Sequence, residues 1–239
     1  MDSFMDLSRL WALADWLNGW FPIIVHKVNI CLYLNLVWML GVRFKALNER
    51  LIFIVKSSYA NSQVILSSEE PAVMLRTIGN IHSQFCKIGH SFNFIFIITL
   101  VTSALEIFVF VTLSFYSFIV EMKNDKDLLH LISCTCLILT CSFPMITIVI
   151  ICNWTKKQAC AAAKLIYKIK VQGNNNVLSE LVYIQVFSMQ MQHQQLAFSV
   201  GGLFTLDPAL LQAIMGAITT NLIILVQFGQ LENILSKKG

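Results

Sequence analysis

Four stretches of this chain are long and apolar enough to cross a lipid bilayer, and that constrains the fold more than any other feature. A spanning helix needs about 20 mostly apolar residues. The stretches run from about Trp20 to Val42, Phe92 to Val120, Leu131 to Asn153 and Pro208 to Phe228. Spanning strands would be about ten residues of alternating polarity, and no such alternation occurs in these stretches. Composition agrees: of 239 residues, 56% are hydrophobic and 13% charged, about half the charged share of a soluble domain. Disorder and nucleic-acid binding are excluded, since one needs low hydrophobicity and the other a concentrated basic face. The sequence predicts an all-α, polytopic membrane helix bundle.

Charge outside the spans sets an orientation. Arg9 precedes the first span. Arg43, Lys45, Arg50, Lys56, Arg76 and Lys87 lie between the first two. Lys123 and Lys126 follow the second. Lys156, Lys157, Lys164, Lys168 and Lys170 separate the third and fourth, and Lys237 and Lys238 follow the last. Basic residues concentrate on the cytoplasmic side, so this alternation predicts both ends outside and two large cytoplasmic excursions. Asp2, Asp6 and Asp15 oppose a signal-peptide reading. Trp11, Trp16, Trp20 and Phe21 fit an interfacial aromatic belt, and Lys27 would snorkel to the headgroups.

The excursions read as helical. Phe44, Leu47, Leu51 and Ile54 keep helical spacing. Glu70 and Pro71 mark a break. From Met74, Leu75, Ile78, Ile81, Phe85, Ile88 and Phe92 step by three and four, so this helix should run into the second span. The third span continues through the run Ala159–Ala163 to about Val171, and Gly173-Asn174-Asn175-Asn176 stops it. A further helix is expected from about Ser179 to Val200, with Leu181, Ile184, Phe187, Met191 and Leu196 on one side. Its other side carries Gln185, Gln190, Gln192, Gln194 and Gln195, either solvated or packed among polar partners. Gly201-Gly202 marks a bend. Asp207 and Pro208 suit the N-cap and first turn of the last helix. The expected divisions are 1–43 (outer amphipathic segment and first span), 44–91 (cytoplasmic helical loop), 92–153 (second and third spans with a short outer loop), 154–207 (cytoplasmic helices) and 208–239 (last span and outer tail).

No catalytic set emerges, so the chain does not read as an enzyme. His26 and His130 are expected outside and His82, His90 and His193 inside. The seven cysteines form no CxxC pair and read as small apolar residues. No metal motif, phosphate loop or nucleophile elbow occurs, so no metal or cofactor is expected. Asn153-Trp154-Thr155 is a glycosylation sequon on the cytoplasmic side and should stay unmodified. Glu106 is an acid inside a span. It faces a water-filled ligand cavity, or it is a neutral or hydrogen-bonded carboxyl near Ser103. In the last span Ala209, Ala213, Gly216, Ala217 and Thr220 form a strip of small residues suited to close helix approach.

The stretch Gly202-Leu203-Phe204-Thr205-Leu206-Asp207, then Thr220-Asn221, five apolar residues and Gln227-Phe228, resembles the carboxy-terminal signature of insect gustatory receptors. That signature reads Thr-Tyr, five hydrophobic residues, Gln-Phe, and this sequence departs from it at Asn221. Phe44–Leu51 and Phe187–Gln190 are similar to further family segments. The resemblance implies a seven-span chemosensory receptor, a multi-pass plasma-membrane protein of chemosensory neurons with its carboxy terminus outside. The four spans here would be its fourth to seventh, with three more upstream. It implies signal transduction through a ligand-gated cation channel, a homo- or hetero-tetramer whose last helix lines the pore. Gln227 and Phe228 would then form the constriction. A small-molecule tastant would bind in the outer halves of the other spans, where Glu106, Phe110, Tyr116 and Trp20 are candidates. Each of those aromatics is more often plain packing. The rival readings are a non-channel membrane transporter or partner protein, and a truncated, nonfunctional receptor fragment. Nucleic acid is not an expected partner.

Overall fold

The computed structural model describes residues 2–60, 69–123, 128–167 and 196–236. They form five helices and one small hairpin: α1 (Asp2–Ala60), α2 (Glu69–Ile95), α3 (Ile97–Lys123), α4 (Leu128–Tyr167), β1 (Ser199–Val200), β2 (Phe204–Thr205) and α5 (Pro208–Ser236). Four helical segments meet the length and hydropathy needed to cross a membrane: Gly19–Phe53, Ile97–Glu121, Leu128–Ala162 and Pro208–Gly229. The all-α membrane bundle expected from the run lengths is therefore the observed architecture.

Several helices extend past the apolar layer, as the helical spacing of their flanks predicts. α1 is a single element of 59 residues and passes Pro22 without a break. α2 begins at Glu69, so Pro71 falls in its first turn, where a missing N–H costs nothing. α2 runs into α3 with only Phe96 between them. Helical hydrogen bonds enter and leave this joint, from Phe96 N–H to Phe92 C=O and from Leu100 N–H to Phe96 C=O, both 3.0 Å.

The core lies where α1, α3 and α4 pack side by side. Tyr33, Val37, Leu40 and Phe44 are buried on one stripe of α1, against Met145, Ile148, Val149 and Cys152 of α4. Close approach is local chemistry: a Cβ on Gly41 would overlap the Trp154 ring and the Thr155 hydroxyl. Trp38 and Trp154 stack at 4.7 Å between centroids.

Residues 196–206 hold a finding the helical reading of 179–200 missed. Leu196 to Phe198 are not helical, and Ser199–Val200 pairs antiparallel with Phe204–Thr205, so the expected helix does not reach Val200. The rest of that helix, with its glutamine-rich face, and the Gly173–Asn176 stop lie outside the described residues. Leu196, Phe198 and Val200 are buried and alternate with Ala197 and Ser199, the period of a strand. The bend at Gly201-Gly202 is a tight hairpin turn in which both glycines have positive φ, +56° and +76°. That is the conformation type I′ turns require. Leu203 N–H closes it on Val200 C=O at 2.9 Å.

Asp207 then caps α5. Its Oδ1 accepts Leu210 N–H at 3.3 Å, and its Oδ2 accepts the Thr205 hydroxyl at 2.9 Å. The cap and the first-turn proline are those the sequence predicts.

Candidate functional site

Polar groups in the apolar layer point to function because each is costly to place there. Two sets stand out. The first joins α1 to α3. Lys27 Nζ lies 2.5 Å from Glu106 Oε1, and His26 Nε2 lies 3.2 Å from Glu106 Oε2. Ser103 Oγ sits 3.2 Å from His26 Nε2, and Thr102 Oγ1 is 3.4 Å from His26 Nδ1. Cys141 of α4 is near enough to feel both the Glu106 and Lys27 charges.

The depth of this cluster follows from register. Glu106 lies nine residues from Ile97 and fifteen from Glu121, the limits of its span. At 1.5 Å per residue these are about 14 Å and 22 Å. Lys27 therefore turns to Glu106 of the neighbouring helix rather than along its own helix toward an end. A carboxylate at hydrogen-bond distance, in a medium where charges attract strongly, outcompetes a water layer that far away. His26 joins the same cluster. Of the two readings of Glu106, the geometry shows a hydrogen-bonded, ion-paired carboxyl between helices. Its side chain stays 20% exposed beside Lys27 at 30%, so the pair is open on one side.

The second set lies at the basic end of the bundle, the end carrying Arg43, Lys45, Lys87, Lys156 and Lys157. Tyr33 hydroxyl donates to Asn93 Oδ1 at 3.3 Å and sits 3.4 Å from Cys152 Sγ. Asn93 Nδ2 donates to Ala197 C=O at 3.1 Å. Thr155 hydroxyl donates to Val37 C=O at 3.2 Å, and Asn48 Nδ2 donates to Gln158 C=O at 2.8 Å. These bonds cross-link α1, α2 and α4 and satisfy polar atoms that burial would otherwise penalise, although Asn48 Oδ1 is buried without a partner among the described residues. Thr155, the last residue of the glycosylation sequon, is fully buried.

Further from the apolar layer, His82 Nε2–H donates to Ala159 C=O at 3.1 Å, which leaves Nδ1 to accept from the Cys86 thiol at 3.8 Å. Burial holds the His82 imidazole below its ordinary value, against the opposing pull of that carbonyl. Burial pushes the Cys86 thiol up to about 11, with Cys160 adding to the rise. A cleft of about 400 Å³ opens between the basic extensions of α1 and α4, bordered by Lys45, Asn48, Gln158 and Lys164. Among the described residues no three His, Cys, Asp or Glu side chains are grouped to hold a metal.

Of the four expected pocket residues, Glu106, Phe110 and Tyr116 lie along α3 and Trp20 lies on α1. Phe110 lies one turn from Glu106 but is half exposed, and Trp20 is 58% exposed. Tyr116 instead abuts the far end of α5, where a Cβ on Gly229 would meet its hydroxyl at 2.9 Å. The signature residues are all on α5. Thr220 and Asn221 bond back to the carbonyls of Gly216 and Ala217 at 3.0 and 2.9 Å. Gln227 is exposed and Phe228 is 67% exposed. Ala209, Ala213, Gly216, Ala217 and Thr220 are exposed too, and among the described residues no atom of another element lies within 4 Å of a Cβ on Gly216. Among the described residues α5 packs mainly on α3, and its small-residue strip faces away from them.

Sequence reading named Lys27 and Glu106 separately and missed their pairing. It did not single out Tyr33, Asn93 or Asn48. Two opposite charges in otherwise uncharged spans were a signal that could have joined the first pair.

Comparison with known proteins bears on all of this. The sequence model of a family described as 7tm chemosensory receptor matches residues 3–232. "Putative gustatory receptor 2a" of Drosophila melanogaster is 34% identical over 100 residues, which are 35% of this chain and 23% of that protein. "Putative gustatory receptor 28b" of the same fly is 25% identical over 174 residues, 70% of this chain and 37% of that protein. The chain thus matches about a quarter to two fifths of the length of these relatives.

Proposed function

The chain belongs to the 7tm chemosensory receptor family, and on that premise we propose that it is a subunit of a ligand-gated cation channel that detects small tastant molecules. The observation that carries this reading is α5. Its span carries no charged residue and is almost unburied by the described residues. It turns a strip of small residues away from the described helices, and it carries Gln227 and Phe228 exposed at its far end. A lone helix with that face would lie idle in lipid, whereas small residues let membrane helices approach closely. Several copies of α5 around an axis, in a homo- or hetero-tetramer, would give the face a use.

In this reading the lysine-rich end is cytoplasmic, by the positive-inside rule, and the carboxy terminus is outside. Gln227 and Phe228 form the constriction. A narrow apolar ring there stops hydrated ions by dewetting. Tastant binding opens it only as far as the ligand binds the wide state more tightly than the narrow one. The open side of the Lys27–Glu106 pair, with Phe110 a turn away, supports a ligand contact on the α1–α3 side. Tyr116, packed against α5 near the constriction, supports a route from there to the gate. The setting is the plasma membrane of chemosensory neurons, where the current is the transduced signal.

Expression of this chain alone, and within the longest reading frame that contains it, tests the proposal by cation current in voltage-clamped cells. Phe228→Ala should raise the unliganded current at least threefold by widening an apolar ring, and Gln227→Ala should alter single-channel conductance. Tetramers in which both substitutions leave conductance and gating untouched would refute the pore assignment. A tag after Gly239 reached only from the cytosol would refute the orientation.

A further inference from the structure

Three positions on one helical face hold the hairpin. A Cβ on Gly89 would come within 2.5 Å of Leu196 Cδ1, so Leu196 is seated where α2 has no side chain. Asn93 Nδ2 donates to Ala197 C=O. Ile97 Cδ1 lies 2.6 Å from the place of a Cβ on Gly201. Positions 89, 93 and 97 are four apart, so they share one face. That face crosses Phe96, the single residue at which α2 gives way to α3.

We infer that residues 196–206 are a strap laid across the α2–α3 joint, which ties the first turn of α5 to the setting of that joint, with Asn93 as the positioning residue. The inference rests on the reading of α5 as the gating helix and specifies how its base is regulated. The strap is stiff for its size. Leu196, Phe198, Val200 and Leu206 are all buried at 3% exposure or less. Leu206 N–H bonds Phe198 C=O at 2.8 Å, so the strap is closed on itself one residue before the Asp207 cap. Asn93 is engaged at both ends of its amide: Oδ1 accepts from Tyr33 of α1 while Nδ2 holds the strap. Tyr33 also stacks, tilted, on Phe96 at 5.4 Å, and contacts Cys152 of α4. One side chain thus links the three-helix core, the joint and the base of α5. A change in the angle at Phe96 moves positions 93 and 97 relative to each other, and the strap passes that displacement to Asp207.

Hydrogen exchange on the full chain in lipid nanodiscs tests this without a ligand. Asn93→Leu keeps the volume and removes both bonds. It should speed exchange of the Leu203 and Leu206 amides at least tenfold, with α3 amides near Phe115 changing less than twofold. Tyr33→Phe leaves the Asn93–Ala197 bond in place and should change Leu203 and Leu206 exchange less than threefold. Unaltered exchange at both amides in Asn93→Leu, or equal acceleration near Phe115, would overturn the strap whether or not the chain conducts. The electrical arm uses unliganded caesium current at fixed voltage, where Asn93→Leu should change open probability at least fivefold. Faster exchange with unchanged open probability in a conducting protein would overturn the coupling to the gate. Faster exchange with no current in any variant, wild type included, would support the strap and refute the channel reading.

Discussion

Breaking the Lys27–Glu106 pair is the sharpest check on how this bundle is held together. Two unit charges 4 Å apart attract by about 4 kcal/mol at an effective dielectric of 20, and these lie nearer. Removing one partner of a buried pair costs roughly 3–5 kcal/mol, mostly because the other charge is stranded. The open side of this pair, with side chains 20% and 30% exposed, moves the expectation to the low end. Lys27→Met and Glu106→Leu should each destabilise by about 3 kcal/mol. The double replacement should lie within about 1 kcal/mol of wild type, because an apolar pair of similar size needs no desolvation. The coupling from the double-mutant cycle is then at least about 5 kcal/mol. Reversible unfolding in mixed micelles, followed by tryptophan fluorescence, measures all four states. A lysine that instead reached the headgroups would make the two substitutions additive. A coupling below about 0.5 kcal/mol would therefore refute the pairing and the depth assigned to it.

Other outcomes follow from the same packing. His82 has a folded value below its ordinary 6.5, so the unfolded chain takes up a proton that the folded chain refuses. Its contribution to stability is complete above pH 6.5 and is lost as the pH falls below it; His82→Gln should flatten that slope in pH-dependent unfolding. Gly41→Val forces a side chain into the Trp154 ring and should cost about 1–3 kcal/mol, read in the same unfolding assay. A Cys86 value of about 11 leaves about one hundredth of the thiolate of an ordinary cysteine near 9. Iodoacetamide at pH 8 should thus label Cys86 in the folded protein at least 100-fold more slowly than after unfolding in detergent, as read by mass spectrometry.

What could be read from the residues differed by kind of interaction. Helices were legible because length and hydropathy alone decide them: Leu131 to Asn153 leaves no other structure in a bilayer. The start of α5 was legible because Asp207-Pro208 is local chemistry. The hairpin was half legible. Gly201-Gly202 announced a bend, but strands of two residues carry almost no periodic signal, and Leu196 was absorbed into a helical pattern. Its alternation with Phe198 and Val200 was the clue. The cross-links were illegible for a different reason. Asn93 and Tyr33 are 60 residues apart, and nothing local marks a polar side chain as buried. Only packing brings them together. The family signature was readable at Thr220, Gln227 and Phe228 because spacing within one helix survives without a structure, and the family match over residues 3–232 agrees with it.

The ion pair also has a history within each molecule's synthesis. Lys27 and Glu106 are 79 residues apart in the chain. At 5–20 residues per second, roughly 4–16 s separate their emergence from the ribosome. During that interval the span carries a lysine that has not met Glu106, a burden of roughly 2.5–3.5 kcal/mol on the insertion scale. Arrival of α3 then relieves that burden, since Glu106 meets the lysine. A substitution at Glu106 would accordingly appear first as a defect in the membrane insertion of a segment made before it.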